Sequence, residues 1–184
     1  MRIISGKARG TKLYTLEGTA TRPTLDRVKE SIFNIIQQDI EGAIVLDLFA
    51  GSGAIGLEMV SRGAKKAILC DKSKDAIDII KKNTEKTHVH EKVEIYNLDF
   101  EACIEKNKNQ KFDIIYIDPP YETNYIEQSL KKIIKEDIIN KESKIIIETD
   151  DEQRILDEIK DIELDITDKR KYGRATIIFL KKRT

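Results

Sequence analysis

Ala43-Ile-Val-Leu-Asp47-Leu-Phe49-Ala-Gly51-Ser52-Gly53-Ala-Ile-Gly56 is the stretch that decides the fold. Its opening run is apolar without polar alternation, which predicts a strand over Ala43–Leu48 buried on both faces. The glycines that follow let the backbone turn sharply and approach a ligand closely. A helix is then expected near Ala54–Arg62, stopping at Gly63, and its first N–H groups are unpaired donors.

The alternation of strand and helix continues downstream. Strands are predicted at Lys66–Cys70, Val93–Asn97, Phe112–Ile117 and Lys144–Glu148. Between them lie helices at Lys74–Lys86, capped by Ser73, a short one from Phe100, and one at Tyr125–Lys135. Short apolar runs separated by helices imply parallel strands. The last two, Glu163–Arg170 and Ala175–Leu180, flank Tyr172-Gly173-Arg174 and read as an antiparallel hairpin. Upstream, Leu25, Val28, Ile32, Ile35, Ile36 and Ile40 lie at helical spacing across Thr24–Ile40, after the start signal Arg22-Pro23-Thr24. Met1–Tyr14, interrupted at Ser5-Gly6 and Arg9-Gly10, predicts a small hairpin. The expected architecture is α/β and Rossmann-like: a mostly parallel seven-stranded sheet with an antiparallel last strand and an N-terminal hairpin. Ligands in such sheets bind outside the carboxyl ends of the strands.

With 184 residues the chain suits one domain, residues 1–184, able to bury a core without disulfides or metal. No apolar stretch reaches the ~18–20 residues a membrane span needs. The two cysteines, Cys70 and Cys103, fall in apolar elements, which points to a reduced, cytoplasmic compartment. The net charge is zero but unevenly spread. Residues 1–29 hold seven Lys and Arg against two acids, and residues 169–184 hold seven and no acid. Basic ends on an acidic body suggest a localised nucleic-acid face. His88 and His90 lack further ligands at metal-site spacing, so no metal is expected.

Gly51-x-Gly53-x-x-Gly56 matches the dinucleotide fingerprint, with Asp71 twenty residues beyond Gly51. An acid there can hold ribose hydroxyls of either NAD or S-adenosylmethionine, so this motif leaves both open. Asp47, just ahead of the glycines, would repel a pyrophosphate and suit a cationic sulfonium with its ammonium group. Asp99-Phe100 ends the third strand, where an acid can meet an adenine amine and a ring can pack on it. Asp118-Pro119-Pro120-Tyr121 closes the fourth. An aryl amine is a poor nucleophile, and acceptors on its hydrogens stabilise the charge that grows on nitrogen as it is alkylated. The Asp118 carboxylate and the Pro119 carbonyl are such acceptors, two prolines keep the turn rigid, and Tyr121 offers a stacking face.

Together these motifs resemble class I S-adenosylmethionine-dependent methyltransferases acting on exocyclic amines. More narrowly, the chain resembles the bacterial RsmD family of 16S ribosomal RNA guanine-N2 methyltransferases. Arg2-Ile-Ile-Ser-Gly-Lys-Ala-Arg-Gly-Thr-Lys-Leu13, Arg22-Pro-Thr-Leu-Asp-Arg-Val-Lys-Glu-Ser-Ile-Phe-Asn34 and Tyr172-Gly173 carry the narrower resemblance. It implies S-adenosylmethionine as cofactor, held by Asp47, Phe49, Gly51, Ser52 and Gly53 at the methionine end. Asp71 would hold the ribose, and Asp99 and Phe100 the adenine. Asp118 and Pro119 would hold the guanine amine with Tyr121 on the base, and Arg22-Pro23-Thr24 would close over the cofactor. The expected partner is 16S rRNA in the small ribosomal subunit, with Arg9, Lys12, Arg22, Arg27 and Arg174 as candidate phosphate contacts and residues 1–20 as an RNA-facing extension. A monomer suffices. A DNA adenine methyltransferase shares the Asp-Pro-Pro-Tyr end, although no segment reads as a second, DNA-reading domain. A non-catalytic RNA-binding assembly factor and a nicotinamide dehydrogenase are the remaining alternatives.

Overall fold

The computed structural model describes residues 1–16, 23–121 and 123–184, with side chains from residue 26 onward in the first helix. Seven strands form one sheet: β1 (Ile44–Asp47), β2 (Lys66–Cys70), β3 (Val93–Tyr96), β4 (Phe112–Ile117), β5 (Ile139–Thr149), β6 (Leu164–Tyr172) and β7 (Ala175–Lys182). Their order is β3-β2-β1-β4-β5-β7-β6. The first five run parallel, and β7 runs antiparallel between β5 and β6. Among the described residues one α-helix precedes the sheet, α1 (Pro23–Ile40), and five lie between strands: α2 (Ala54–Ser61), α3 (Lys74–Thr87), α4 (Phe100–Lys106), α5 (Tyr125–Lys135) and α6 (Glu152–Glu158).

Alternation along the strands sorts the apolar residues into two layers. Val45, Ile114, Tyr116 and Ile146 pack under Ile32, Phe33 and Ile36 of α1, Leu57 of α2 and Ile80 of α3. Leu46, Ile115, Ile117 and Ile147 pack under Ile104 of α4, Leu130 and Ile133 of α5 and Ile155 of α6. Each such side chain contributes roughly 1.5–3 kcal/mol through burial. The strand order reverses between β1 and β4, which opens a crevice at their carboxyl ends.

The predicted strands and helices are present, with two additions. Strand β5 begins at Ile139 rather than Lys144, because Ser143 Oγ donates to the Phe112 carbonyl at 2.6 Å and accepts from Asn140 N–H at 2.9 Å. Those bonds carry the pairing across a register shift. Helix α6 follows an Asp151 cap, whose carboxylate accepts from the Arg154 N–H at 3.2 Å. No helix among the described residues is long and apolar enough to cross a membrane.

The N-terminal hairpin forms around an Arg2–Lys12 bridge and is fastened to α2. The Glu58 carboxylate accepts from Ile4 N–H at 2.8 Å and Ser5 N–H at 3.1 Å. It also pairs with Lys29 of α1 at 3.0 Å and Arg62 at 2.8 Å, with Lys29 and Glu58 both buried. Burial lowers the Lys29 pKa, and Glu58 opposes that by attraction. Gly6 takes φ +87° where a Cβ would lie 1.8 Å from the Ser61 carbonyl oxygen, so only glycine fits this approach.

Candidate active site

The carboxyl ends of β1, β2 and β4, with the helix caps beside them, bring the predicted acids to one edge of the sheet. Asp47 ends β1 and is 3% exposed, and its Oδ1 has no hydrogen-bond partner among the described residues. Burial raises its pKa to about 7, opposed by a bond from the Phe49 N–H. A buried acceptor with no donor is costly by itself, so this carboxylate is suited to a ligand that brings a donor or a positive charge.

The glycine loop explains its own sequence. Gly51 adopts φ +58° and a Cβ there would meet no atom within 4 Å, because it borders the crevice. Gly53 caps α2 in the left-handed conformation, and Gly56 faces Leu69 of β2 so closely that a Cβ would lie 2.0 Å from its Cδ2. The Asp71 carboxylate accepts from Gly51 N–H and from Ser73 N–H, both at 2.9 Å, locking the loop to the start of α3. Each of its oxygens retains a second lone-pair site for a hydroxyl.

Two cavities with shared lining residues occupy the crevice. The first, about 450 Å³, runs past Asp71, Asp99, Phe100, Pro119 and Tyr121. Asp99 caps α4, its Oδ1 accepting from Ala102 N–H at 2.8 Å. Three rings meet here: Phe49 and Phe100 lie 5.4 Å apart, and Tyr125 sits 5.0 Å from Phe100 and stacks on Phe49 at 6.1 Å. Tyr121 is exposed at the lip. The second cavity, about 230 Å³, lies under α1 and is lined by Asp47, Ser52, Lys29, Tyr116 and Glu148. Phe49, Gly51 and Asp118 border both. Burial raises the Asp118 pKa well above the usual carboxylate range, with Glu148 and Asp47 adding repulsion. Burial also raises Glu148, while the Tyr116 hydroxyl bonded to its Oε2 opposes the rise.

The basic candidates do not converge on one spot. Arg27 is exposed on α1 beside Val28, which lines the second cavity. Arg174 is exposed in the β6–β7 turn at the same sheet edge, where Thr176 pairs with Thr149 and the Tyr172 hydroxyl bonds the Ser31 hydroxyl of α1. Arg9 lies instead in a separate polar groove with Lys7, Arg62 and Lys92, at the far end of α2. Lys12 is exposed on the hairpin, and Arg22 lies outside the described residues, as does the closure expected of Arg22-Pro23-Thr24 except for its helical backbone from Pro23. His88 takes a left-handed conformation at the end of α3, and His90 opens a short 3₁₀ turn.

Four contributors lie beyond the sequence reading. Tyr116 of β4 bonds Glu148 and lines the second cavity. Glu148 ends the apolar run Lys144–Glu148 just as Asp47 ends its own, and that pattern was the available signal. Tyr125 and Asn83 gave none, since each is brought to the site by tertiary packing. Asn83 accepts from Tyr14 N–H at 2.7 Å and donates to the Tyr14 and Ser52 carbonyls at 2.9 and 2.8 Å.

Comparison with known proteins bears on the family and the fold. A family described as "Conserved hypothetical protein 95" matches residues 1–181. The "Putative rRNA methyltransferase YlbH" of Bacillus subtilis is 35% identical over 185 residues, covering all of both chains. "Ribosomal RNA small subunit methyltransferase D" of Haemophilus influenzae is 34% identical over 158 residues, 85% of this chain and 82% of that one. Among solved structures, a putative methylase from Haemophilus influenzae superposes with a TM-score of 0.82 at 29% identity, over 100% of this chain and 98% of that one. A putative methyltransferase from Escherichia coli gives 0.84 at 24% identity over 100% and 98%, a likeness of fold.

Proposed function

The chain belongs to the RsmD family, and from that membership we propose that it transfers a methyl group from S-adenosylmethionine to the exocyclic N2 amine of a guanine in 16S ribosomal RNA. The observation that carries this reading is the position of Asp118. It forms part of the wall common to two cavities, one lined by acids and rings suited to an adenosine, the other by a buried carboxylate suited to a cation.

The residues present fit the cofactor. Asp47, with its unpaired Oδ1, would take the ammonium of the methionine end, and Gly51, Ser52 and Gly53 would supply the close backbone. Asp71 would hold the ribose hydroxyls, with Asp99 and the Phe49–Phe100 pair at the adenine. When bound, S-adenosylmethionine supplies an electrophilic methyl group and leaves as a neutral thioether.

The chain's own contribution is placement and charge. Asp118 and the Pro119 carbonyl accept the two amine hydrogens and turn the nitrogen lone pair out of the ring plane toward the cofactor cavity. The positive charge that grows on nitrogen is met by the carboxylate, which takes the proton that the methylated amine gives up, and the walls keep water from competing with it. Because the target amine must enter a recess, the base is taken unstacked, with Tyr121 at the lip as its stacking surface. Arg27 and Arg174, exposed on the same edge, contact the flanking phosphates, and Arg9 and Lys12 of the N-terminal hairpin reach a more distant part of the backbone.

The test is methyl transfer from labelled S-adenosylmethionine to undermethylated small subunits, stripped RNA and DNA, followed by nucleoside analysis. N2-methylguanosine in RNA supports the reading. N6-methyladenine in DNA would replace it with the adenine-directed alternative, and binding of RNA without any transfer would replace it with the assembly factor.

A further inference from the structure

Asp118 has a neighbour on the next strand. Tyr116 pairs with Ile146 and Ile117 with Ile147, so the following position sets Asp118 beside Glu148 at the carboxyl ends of β4 and β5. On the other side, Asp47 pairs with Tyr116. Side chains alternate between faces, so Asp47, Tyr116, Asp118 and Glu148 project to the same side of the sheet, toward α1. All four line the second cavity. Tyr116 is 3% exposed, and its hydroxyl donates to Glu148 Oε2, which fixes the carboxylate and leaves it an acceptor.

We propose that Glu148, positioned by Tyr116, determines base specificity by accepting the N1–H of the target guanine while Asp118 accepts from its N2 amine. The inference rests on the guanine-N2 reading and deepens it. The Watson–Crick edge of guanine carries two adjacent donors, N1–H and the N2 amine. Adenine and cytosine instead place an amine beside a ring nitrogen with a lone pair. Two neighbouring carboxylates match the first pattern and set an anion against the lone pair in the second. A buried site makes that mismatch expensive, because neither group can turn to water. Burial raises both carboxyls, with repulsion from Glu148 and Asp47 adding at Asp118, and donors from guanine favour the ionised form that accepts them.

2-Aminopurine keeps the N2 amine and replaces N1–H with a lone pair; it also lacks the 6-oxygen, so the effect of Glu148 is read from the change in base ratio between wild type and variant. The guanosine modified by the wild-type protein is first mapped on small-subunit RNA, and RNA is then assembled with guanosine or 2-aminopurine riboside at that position. Wild-type protein is expected to favour guanosine by at least ~30-fold in kcat/KM. In Glu148→Gln, whose amide donates to the 2-aminopurine lone pair, the ratio is expected to fall below ~5-fold, through loss on guanosine and gain on 2-aminopurine. Tyr116→Phe keeps the packed ring and is expected to shift the ratio in the same direction by a smaller factor. Calorimetry with S-adenosylhomocysteine gives a readout independent of transfer. An unchanged base ratio in Glu148→Gln overturns the inference, and if cofactor affinity drops by more than ~10-fold at the same time, Glu148 serves the cofactor instead. A wild-type product without N2-methylguanosine overturns the underlying reading, a result distinct from an unchanged ratio.

Discussion

Asn83, wholly buried on α3, donates its side-chain amide to the carbonyl of Ser52 in the glycine loop at 2.8 Å. The same side chain clamps both backbone groups of Tyr14, from which the chain continues into Thr15 and Leu16 at the cavity wall. One residue therefore ties the glycine loop to the segment facing it. Asn83→Leu strands three polar backbone groups, each worth ~1–3 kcal/mol when buried without a partner. The variant is expected to lose about 3 kcal/mol in urea unfolding and roughly tenfold in S-adenosylhomocysteine affinity. Unfolding stability that falls while affinity holds would confine Asn83 to a structural role.

Asp47 predicts a pH dependence of cofactor binding. Its pKa is raised from 3.8 to about 7 by burial, so the folded chain holds this proton more tightly than the unfolded one. Its favourable contribution is present below pH 4 and is lost as pH rises through 7, a change of up to ~4 kcal/mol. Asp47→Asn should therefore gain stability relative to wild type between pH 4 and 8, in thermal melts without cofactor. Binding a cationic ammonium needs the ionised form, so wild-type affinity for S-adenosylhomocysteine should climb from pH 6 to 8. A flat profile in the wild type would separate Asp47 from the ammonium.

Glu58 anchors the hairpin and neutralises Lys29 in the interior. Glu58→Ala leaves the Lys29 ammonium buried with only the Arg2 carbonyl to accept from it and no adjacent counter-charge, and two hairpin N–H groups without acceptors. A loss of ~3–5 kcal/mol is expected. Adding Lys29→Met should recover a substantial part of it, because the charge that needed compensation is gone. Equal destabilisation in the single and double variants would show the hairpin bonds, not the ion pair, to be decisive.

Asp71 serves the loop and, in this account, the ribose. Asp71→Ala removes two bonds to backbone N–H groups and the acceptor for the hydroxyls. S-adenosylhomocysteine affinity is expected to fall by ~30-fold or more in calorimetry, with a drop of about 1–2 kcal/mol in stability. Affinity within twofold of wild type would refute the ribose role.

Much of this was legible in the chain because the informative residues are local. The run from Ala43 to Gly56 states strand, turn and helix in order, and Asp118-Pro119-Pro120-Tyr121 marks the turn after β4 that lines the crevice. Glu148 was legible by the same rule, an acid closing an apolar strand, but its meaning depends on β4–β5 register, which pairs Ile117 with Ile147 and so sets the next residues, Asp118 and Glu148, side by side. Asn83 and Tyr125 owe their roles to what other elements bring to them. Helix α6 buries Ile155 but is otherwise mostly charged, so its apolar periodicity is faint and its Asp151 cap is the main local cue. Arg9 illustrates the converse: a basic residue in a suggestive segment, carried by the hairpin to the far end of α2 rather than to the crevice edge.

The central claim is that Asp118 holds a guanine amine for methylation. The most direct test compares wild type and Asp118→Ala for labelled methyl transfer to undermethylated small-subunit RNA, with S-adenosylhomocysteine binding measured on both proteins. Wild type is expected to yield N2-methylguanosine, and the variant to transfer at least ~10³-fold more slowly with cofactor affinity within a few-fold of wild type. Near-normal turnover by Asp118→Ala, or a wild-type product methylated elsewhere than guanine N2, would contradict it.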